Sequence, residues 1–117
     1  MNASAYAVFF LAVAASGPAC AEDWRYCVGV APAAHETVIT DIFSSPVDSA
    51  RIEHKLEAYF HARKGKVLTF QCPRGAPERY TALNAQTAAL QFNKQMGYVV
   101  DGLPAAEIAA IASDGSF

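Results

Sequence analysis

The chain has no excess of charge of either sign, no Cys-x-x-Cys pair, no glycine-rich phosphate loop and no apolar run long enough to cross a bilayer. Each absence excludes something. Nine Lys and Arg against eleven Asp and Glu leave a net charge of −2 with His neutral, which gives no electrostatic basis for binding nucleic acid or an anionic membrane surface. Without Cys-x-x-Cys there is no thioredoxin-like redox motif. Neither a Gly-x-Ser-x-Gly elbow nor a P-loop is present, so the commonest nucleophile and phosphate signatures are missing. The apolar stretch Tyr6 to Ala15 has ten residues, about half of the roughly 20 that a membrane-spanning helix needs.

That run does fit the apolar centre of a secretory signal peptide. Ser16, Gly17 and Pro18 break it, and Ala19-Cys20-Ala21 then offers an A-x-A cleavage site ahead of Glu22. Met1 to Ala5 contains no Lys or Arg, so the terminal amine is the only positive charge there. We expect residues 1–21 to be a signal peptide and 22–117 a single small domain, periplasmic or secreted, with no transmembrane segment after cleavage. An uncleaved anchor and lipidation at Cys20 are the alternatives. A lipidation site normally carries Leu three residues upstream, where this chain has Gly17.

Cleavage after Ala21 removes Cys20 and leaves Cys27 and Cys72. An even cysteine count in a short exported chain predicts a disulfide. Cross-linking these two stabilises the fold by about 3–4 kcal/mol in the chain-entropy estimate, a large contribution for a domain whose size limits its core.

Trp24 to Ala31 alternates apolar and other residues with the period of a strand. His35 to Phe43 is a second β-rich run, and the short gap at Pro32-Ala33-Ala34 makes the pair an antiparallel hairpin. Ser45 as N-cap, Pro46 at N1 and Asp48 at N3 announce a helix that runs to about Lys64 and stops at Gly65. Its Ile52, Leu56, Tyr59 and Phe60 form one apolar stripe. Lys66 to Cys72 is a third strand. Pro77 to about Met96 is a second helix with Leu83, Leu90, Phe92 and Met96 as apolar positions, closed by Gly97. Tyr98 to Val100 is a short last strand, Asp101-Gly102 a turn, and Pro104 to Ala112 a short terminal helix ahead of a frayed end. The order β-β-α-β-α-β predicts an α+β, two-layer sandwich with two helices on one face of a short sheet.

Two constellations bear on function. His54, Glu57 and His61 share one helix face with metal-ligand chemistry, and His35 is a further imidazole. Along a straight helix, however, His54 and His61 stand ~10.5 Å apart, too far for one ion, and zinc sites ordinarily take three or four protein ligands. A solvated polar face is the better account, and neither a metal nor a cofactor is expected. The second constellation is Trp24, Arg25 and Tyr26. If Cys27 turns toward the helices to meet Cys72, strand alternation places Trp24, Tyr26 and Val28 on the open sheet face. An exposed aromatic row there would mark a binding surface. A bulge near Gly29 or a slip at Cys27 would instead make these aromatics core.

Tyr26-Cys27, then Asp41-Ile42-Phe43 before a capped helix, then Gln71-Cys72-Pro73 and an alanine-rich helix resemble small exported domains of proteobacteria. The resemblance spans roughly Trp24 to Met96 and implies export and the disulfide, without a particular activity. The layout of helices over a short sheet is also similar to the sporulation-related peptidoglycan-binding repeat, although here a hairpin precedes the first helix. Fold does not fix function. The expected role is a small, exported, non-catalytic binding or accessory protein of the cell envelope, with Trp24, Arg25 and Tyr26 as candidate contacts and an envelope ligand such as cell-wall glycan, or an envelope protein, as partner. A metal-binding protein or small enzyme using the His/Glu helix face is one alternative. A structural partner joined through an open sheet edge is another.

Overall fold

The structure, a computed structural model, describes residues 23–114. The expected signal segment 1–21, its cleavage site, Cys20 and the end of the chain from Gly115 lie outside the described residues.

The elements in chain order are β1 (Trp24–Arg25), β2 (Val28–Ala31), a 3-10 turn (Pro32–Ala34), β3 (Glu36–Thr40), β4 (Phe43–Ser44), α1 (Ser49–Lys64), β5 (Thr69–Gln71), α2 (Arg79–Gln95), β6 (Val99–Leu103) and α3 (Ala105–Ser113). The main sheet has the order β5-β2-β3-β6; β6 runs parallel to β3, and the other pairs are antiparallel. β1 and β4 form a separate two-stranded ribbon.

The hairpin forms as its β-branched runs dictate, but with one interruption. Val28 faces Ile39, whereas Arg25 faces Phe43, so Tyr26 alone opposes Asp41 and Ile42. That extra residue is a β-bulge, which bends the ribbon away from the sheet. Thr40 bridges the gap, its Oγ1 accepting from the Cys27 N–H at 2.8 Å. Because the bulge lies on the partner strand, alternation along the first strand survives. Arg25, Cys27 and Gly29 are buried, while Trp24, Tyr26, Val28 and Val30 are half-buried.

α1 begins later than Ser45. Asp48 is the N-cap and accepts from the Arg51 N–H at 3.0 Å, while Ser45 Oγ takes the Val47 N–H in the loop before it. The cause is Arg25, whose guanidinium occupies the carbonyls of Ser45 and Val47 that a longer helix would use. Gly65 ends α1 as expected, at φ 64° with its N–H on the Phe60 carbonyl.

The α+β class holds, but the helices that share one sheet face are not the expected first and second, because α2 has no large apolar face turned to the core. They are α1 and α3, whose Ile52, Leu56, Phe60, Ile108 and Ile111 close over Val38, Phe70, Leu103 and the two cysteines. α2 lies against the opposite face. Side chains alternate along β3, and Thr37, turned away from Val38, donates from Oγ1 to Asn93 Oδ1 at 3.0 Å. Gln86 Nε2 likewise reaches the Thr40 carbonyl at 2.7 Å. α2 thus meets the sheet with Ala82, Gln86 and Asn93 rather than with its larger apolar residues, so Leu83, Phe92 and Met96 stay exposed. Asp101-Gly102 is not a turn but part of β6, drawn into the sheet because Leu103 is buried opposite Thr40.

Candidate functional site

Cys27 and Cys72 form the expected disulfide, with Cα atoms 4.1 Å apart. They extend the β2–β5 register by one pair beyond Val28↔Gln71 and are 0% and 5% exposed. The cross-link therefore sits in the core, tying the strand that carries Trp24 and Tyr26 to the strand beneath α1.

Of the three candidate contacts, the structure corrects Arg25. It is 3% exposed and belongs to the interior. Nη1 donates to Ser49 Oγ at 2.9 Å, Nη2 to the Ser45 and Val47 carbonyls, and the guanidinium stands 5.7 Å from the Phe43 ring centroid. Asp23 lies 3.5 Å away at the protein surface. Strand alternation explains the burial: Arg25 shares the side of Cys27. Its work is to hold the Ser45–Val47 segment in place.

Trp24 and Tyr26 are half-buried. Trp24 exchanges backbone hydrogen bonds with Ala76 in both directions, at 2.9 and 2.8 Å, and the Arg79 guanidinium lies 5.8 Å from its ring centroid. Tyr26 borders a small cavity of about 120 Å³ with Trp24 and Ala82. Burial pushes the Tyr26 phenol above its ordinary value, because the phenolate loses solvation.

Trp24 also borders a larger cleft of about 650 Å³, within the size range of small-molecule sites. Trp24, Ile42 and Phe43 of the ribbon, the Ser45–Val47 segment and Ala105, Ile108, Ala109 and Ala112 of α3 bound it. Among the described residues no ionisable side chain lines it, and the polar groups on its lining side chains are the hydroxyls of Ser44, Ser45 and Ser113 and the indole N–H of Trp24. The geometry has two sources. The bulge swings the ribbon out of the sheet, and small residues at i, i+4 and i+7 of α3 leave the space unfilled. Trp24 is one of the contacts expected from the sequence; the terminal helix is expected too, but not as a wall of the site. The alanine spacing within Pro104 to Ala112 was the available signal.

The metal-ligand face does not assemble. Glu57 Oε2 accepts the Phe70 N–H at 2.9 Å and Glu53 Oε2 the Cys72 N–H at 2.7 Å, so these carboxylates serve β5. His54 and His61 are exposed. His35 stacks on Tyr98, with ring centroids 5.6 Å apart. Among the described residues no group of three or more His, Cys, Asp or Glu could hold a metal ion, and no helix is long and apolar enough to cross a membrane.

Compared with known proteins, the chain matches no family model, no curated protein and no solved structure.

Proposed function

We propose that this chain is a small, exported, non-catalytic binding protein of the cell envelope, periplasmic or secreted, and that the cleft beside Trp24 is its binding site. The observation that carries this reading is an apolar, charge-free cleft of about 650 Å³ walled by the chain's only tryptophan. Export rests on the signal-like N-terminus, supported by a disulfide, whose chemistry belongs to oxidising compartments.

The lining selects the ligand class. Sugars need hydrogen-bonding groups around their hydroxyls, and this cleft offers three serine hydroxyls and one indole N–H among alanine, isoleucine and aromatic surface. An uncharged alkyl or aryl group suits it better, gaining roughly 25 cal/mol for each Å² of apolar surface removed from water. Cell-wall glycan is the weaker choice.

Trp24 supplies the assay. Titration with dodecanoate is expected to change the single-tryptophan emission saturably, and Ala109→Phe, which fills the cleft, is expected to abolish the change. An emission that does not move at any dodecanoate concentration overturns the apolar-ligand reading. Retention on purified peptidoglycan would restore the glycan.

A further inference from the structure

The two edges of the main sheet are finished differently. At the β5 edge, the outward N–H groups of Phe70 and Cys72 are taken by the Glu57 and Glu53 carboxylates of α1, which blocks that edge against another strand. At the β6 edge nothing comparable exists among the described residues. Val99 donates to the His35 carbonyl and Leu103 accepts from the Asp41 N–H, so residues 99, 101 and 103 face β3. Alternation then points the backbone groups of Val100 and Gly102 outward. The strand is also open to solvent, with Val99 62% exposed.

Gly102 gives the second observation. It does not have a positive φ, and a Cβ built on it would meet nothing within 4 Å. Neither backbone conformation nor internal crowding requires glycine there. A glycine inside a strand often marks the close approach of another backbone.

We propose that β6 is a self-association edge, pairing antiparallel with β6 of a second copy about a two-fold axis at Val100. Register decides for the second copy, because the strand is complementary to itself. With Val100 opposite Val100 of the second copy, each Val100 exchanges N–H and C=O with its equivalent, and each Gly102 N–H meets the Tyr98 carbonyl across the axis. Tyr98 itself already donates its N–H to Asn93, so only its carbonyl is needed. Val99 then faces Asp101 and gains cover. The ring of Tyr98 falls opposite Gly102, the aromatic–glycine pairing that stabilises edge strands. Moving the axis to Asp101 would set two carboxylates directly opposite each other, which is destabilising. The contact is isologous and closes at two copies.

Sedimentation of the exported, oxidised protein, which has lost Cys20 with its signal segment, tests this. A concentration-dependent monomer–dimer equilibrium is expected. Gly102→Lys places a charge in open space, so at concentrations where both proteins are monomeric its melting temperature should not fall below the parent's, while at higher concentrations its dimer is lost. Val100→Cys supplies the register. Directly opposite hydrogen-bonded residues have Cα atoms ~5.5 Å apart, within disulfide reach, so mild oxidation should give a covalent dimer on a non-reducing gel. Asp101→Cys should not. A chain that stays monomeric up to its solubility limit overturns the proposal, as does a Gly102→Lys variant that dimerises like the parent or preferential cross-linking of Asp101→Cys.

Discussion

The ring of Phe70 lies across the backbone of Gly29, its partner in the β2–β5 pair: a Cβ on Gly29 would stand 2.5 Å from the ring atoms. Phe70 is 2% exposed and packs on Phe60 with centroids 5.5 Å apart, so the ring has nowhere to go. Gly29→Ala is expected to destabilise the fold by about 1–3 kcal/mol through overpacking. Replacing Phe70 with Leu in the same chain should recover part of that loss, because the smaller side chain relieves the clash. Equilibrium urea unfolding of the two single variants and the double variant measures the coupling; additivity would show that glycine is not required by the ring.

Loss of the disulfide should cost more than loss of either cysteine's packing. Its partners are 45 residues apart in sequence, and opening that loop is expected to remove about 3–4 kcal/mol. A paired Cys27→Ala, Cys72→Ala variant should therefore melt well below the parent. Since both sulfurs are buried, reduction should be slow in native buffer and fast in urea. Thiol counting after brief treatment with dithiothreitol, with and without urea, checks this. Equal rates would mean that the disulfide region opens without global unfolding.

Local rules carried the reading furthest where one residue decides one outcome. Gly65 ends α1, the cysteines pair once their strands are antiparallel, and alternation from Trp24 to Val30 gives each side chain its side. Sequence failed where a distant group competes for the same backbone. Ser45 has the chemistry of an N-cap, yet Arg25, twenty positions earlier in sequence, takes its carbonyl. Asp101-Gly102 has the composition of a turn, yet burial of Leu103 holds it in a strand. α2 was harder still. Its large apolar residues advertise a core face, whereas the sheet receives it through Ala82, Gln86 and Asn93, and hydrophobicity alone does not find such a face. The cleft shares that difficulty: the alanine spacing of α3 is legible, but it makes a cleft only where the bulge brings the ribbon against it.

Arg25 should be irreplaceable by lysine. An ammonium group carries the charge but lacks the planar fork, so it cannot serve Ser49 Oγ and the carbonyls of both Ser45 and Val47 at once. Arg25→Lys is expected to lose about 1–3 kcal/mol, the range for leaving a buried polar partner unsatisfied. It should also weaken dodecanoate binding, since the Ser45–Val47 segment walls the cleft. Thermal melts and Trp24 emission titrations separate the two effects. Unchanged stability would mean that the guanidinium contacts contribute nothing net.

Tyr26 gives the fold an alkaline limit whose sign can be worked out. Burial raises its phenol above the ordinary value of about 10. Below that pH the phenol is protonated in both the folded and unfolded chain, so its contribution is fully present. As pH rises past about 10, the unfolded chain releases the proton while folded Tyr26 keeps it. The unfolded state then binds fewer protons, and stability falls with pH. The fall continues until the raised folded value is passed, beyond which both states are ionised and the loss levels off. Tyr26→Phe removes the titrating group and keeps the ring, so its unfolding free energy should decline less between about pH 9 and pH 11 than the parent's. Phenolate absorbance offers an independent check: the folded parent should contain a late-titrating component that the variant lacks. Parallel stability curves for the two proteins would show that Tyr26 ionises as freely in the fold as in the open chain.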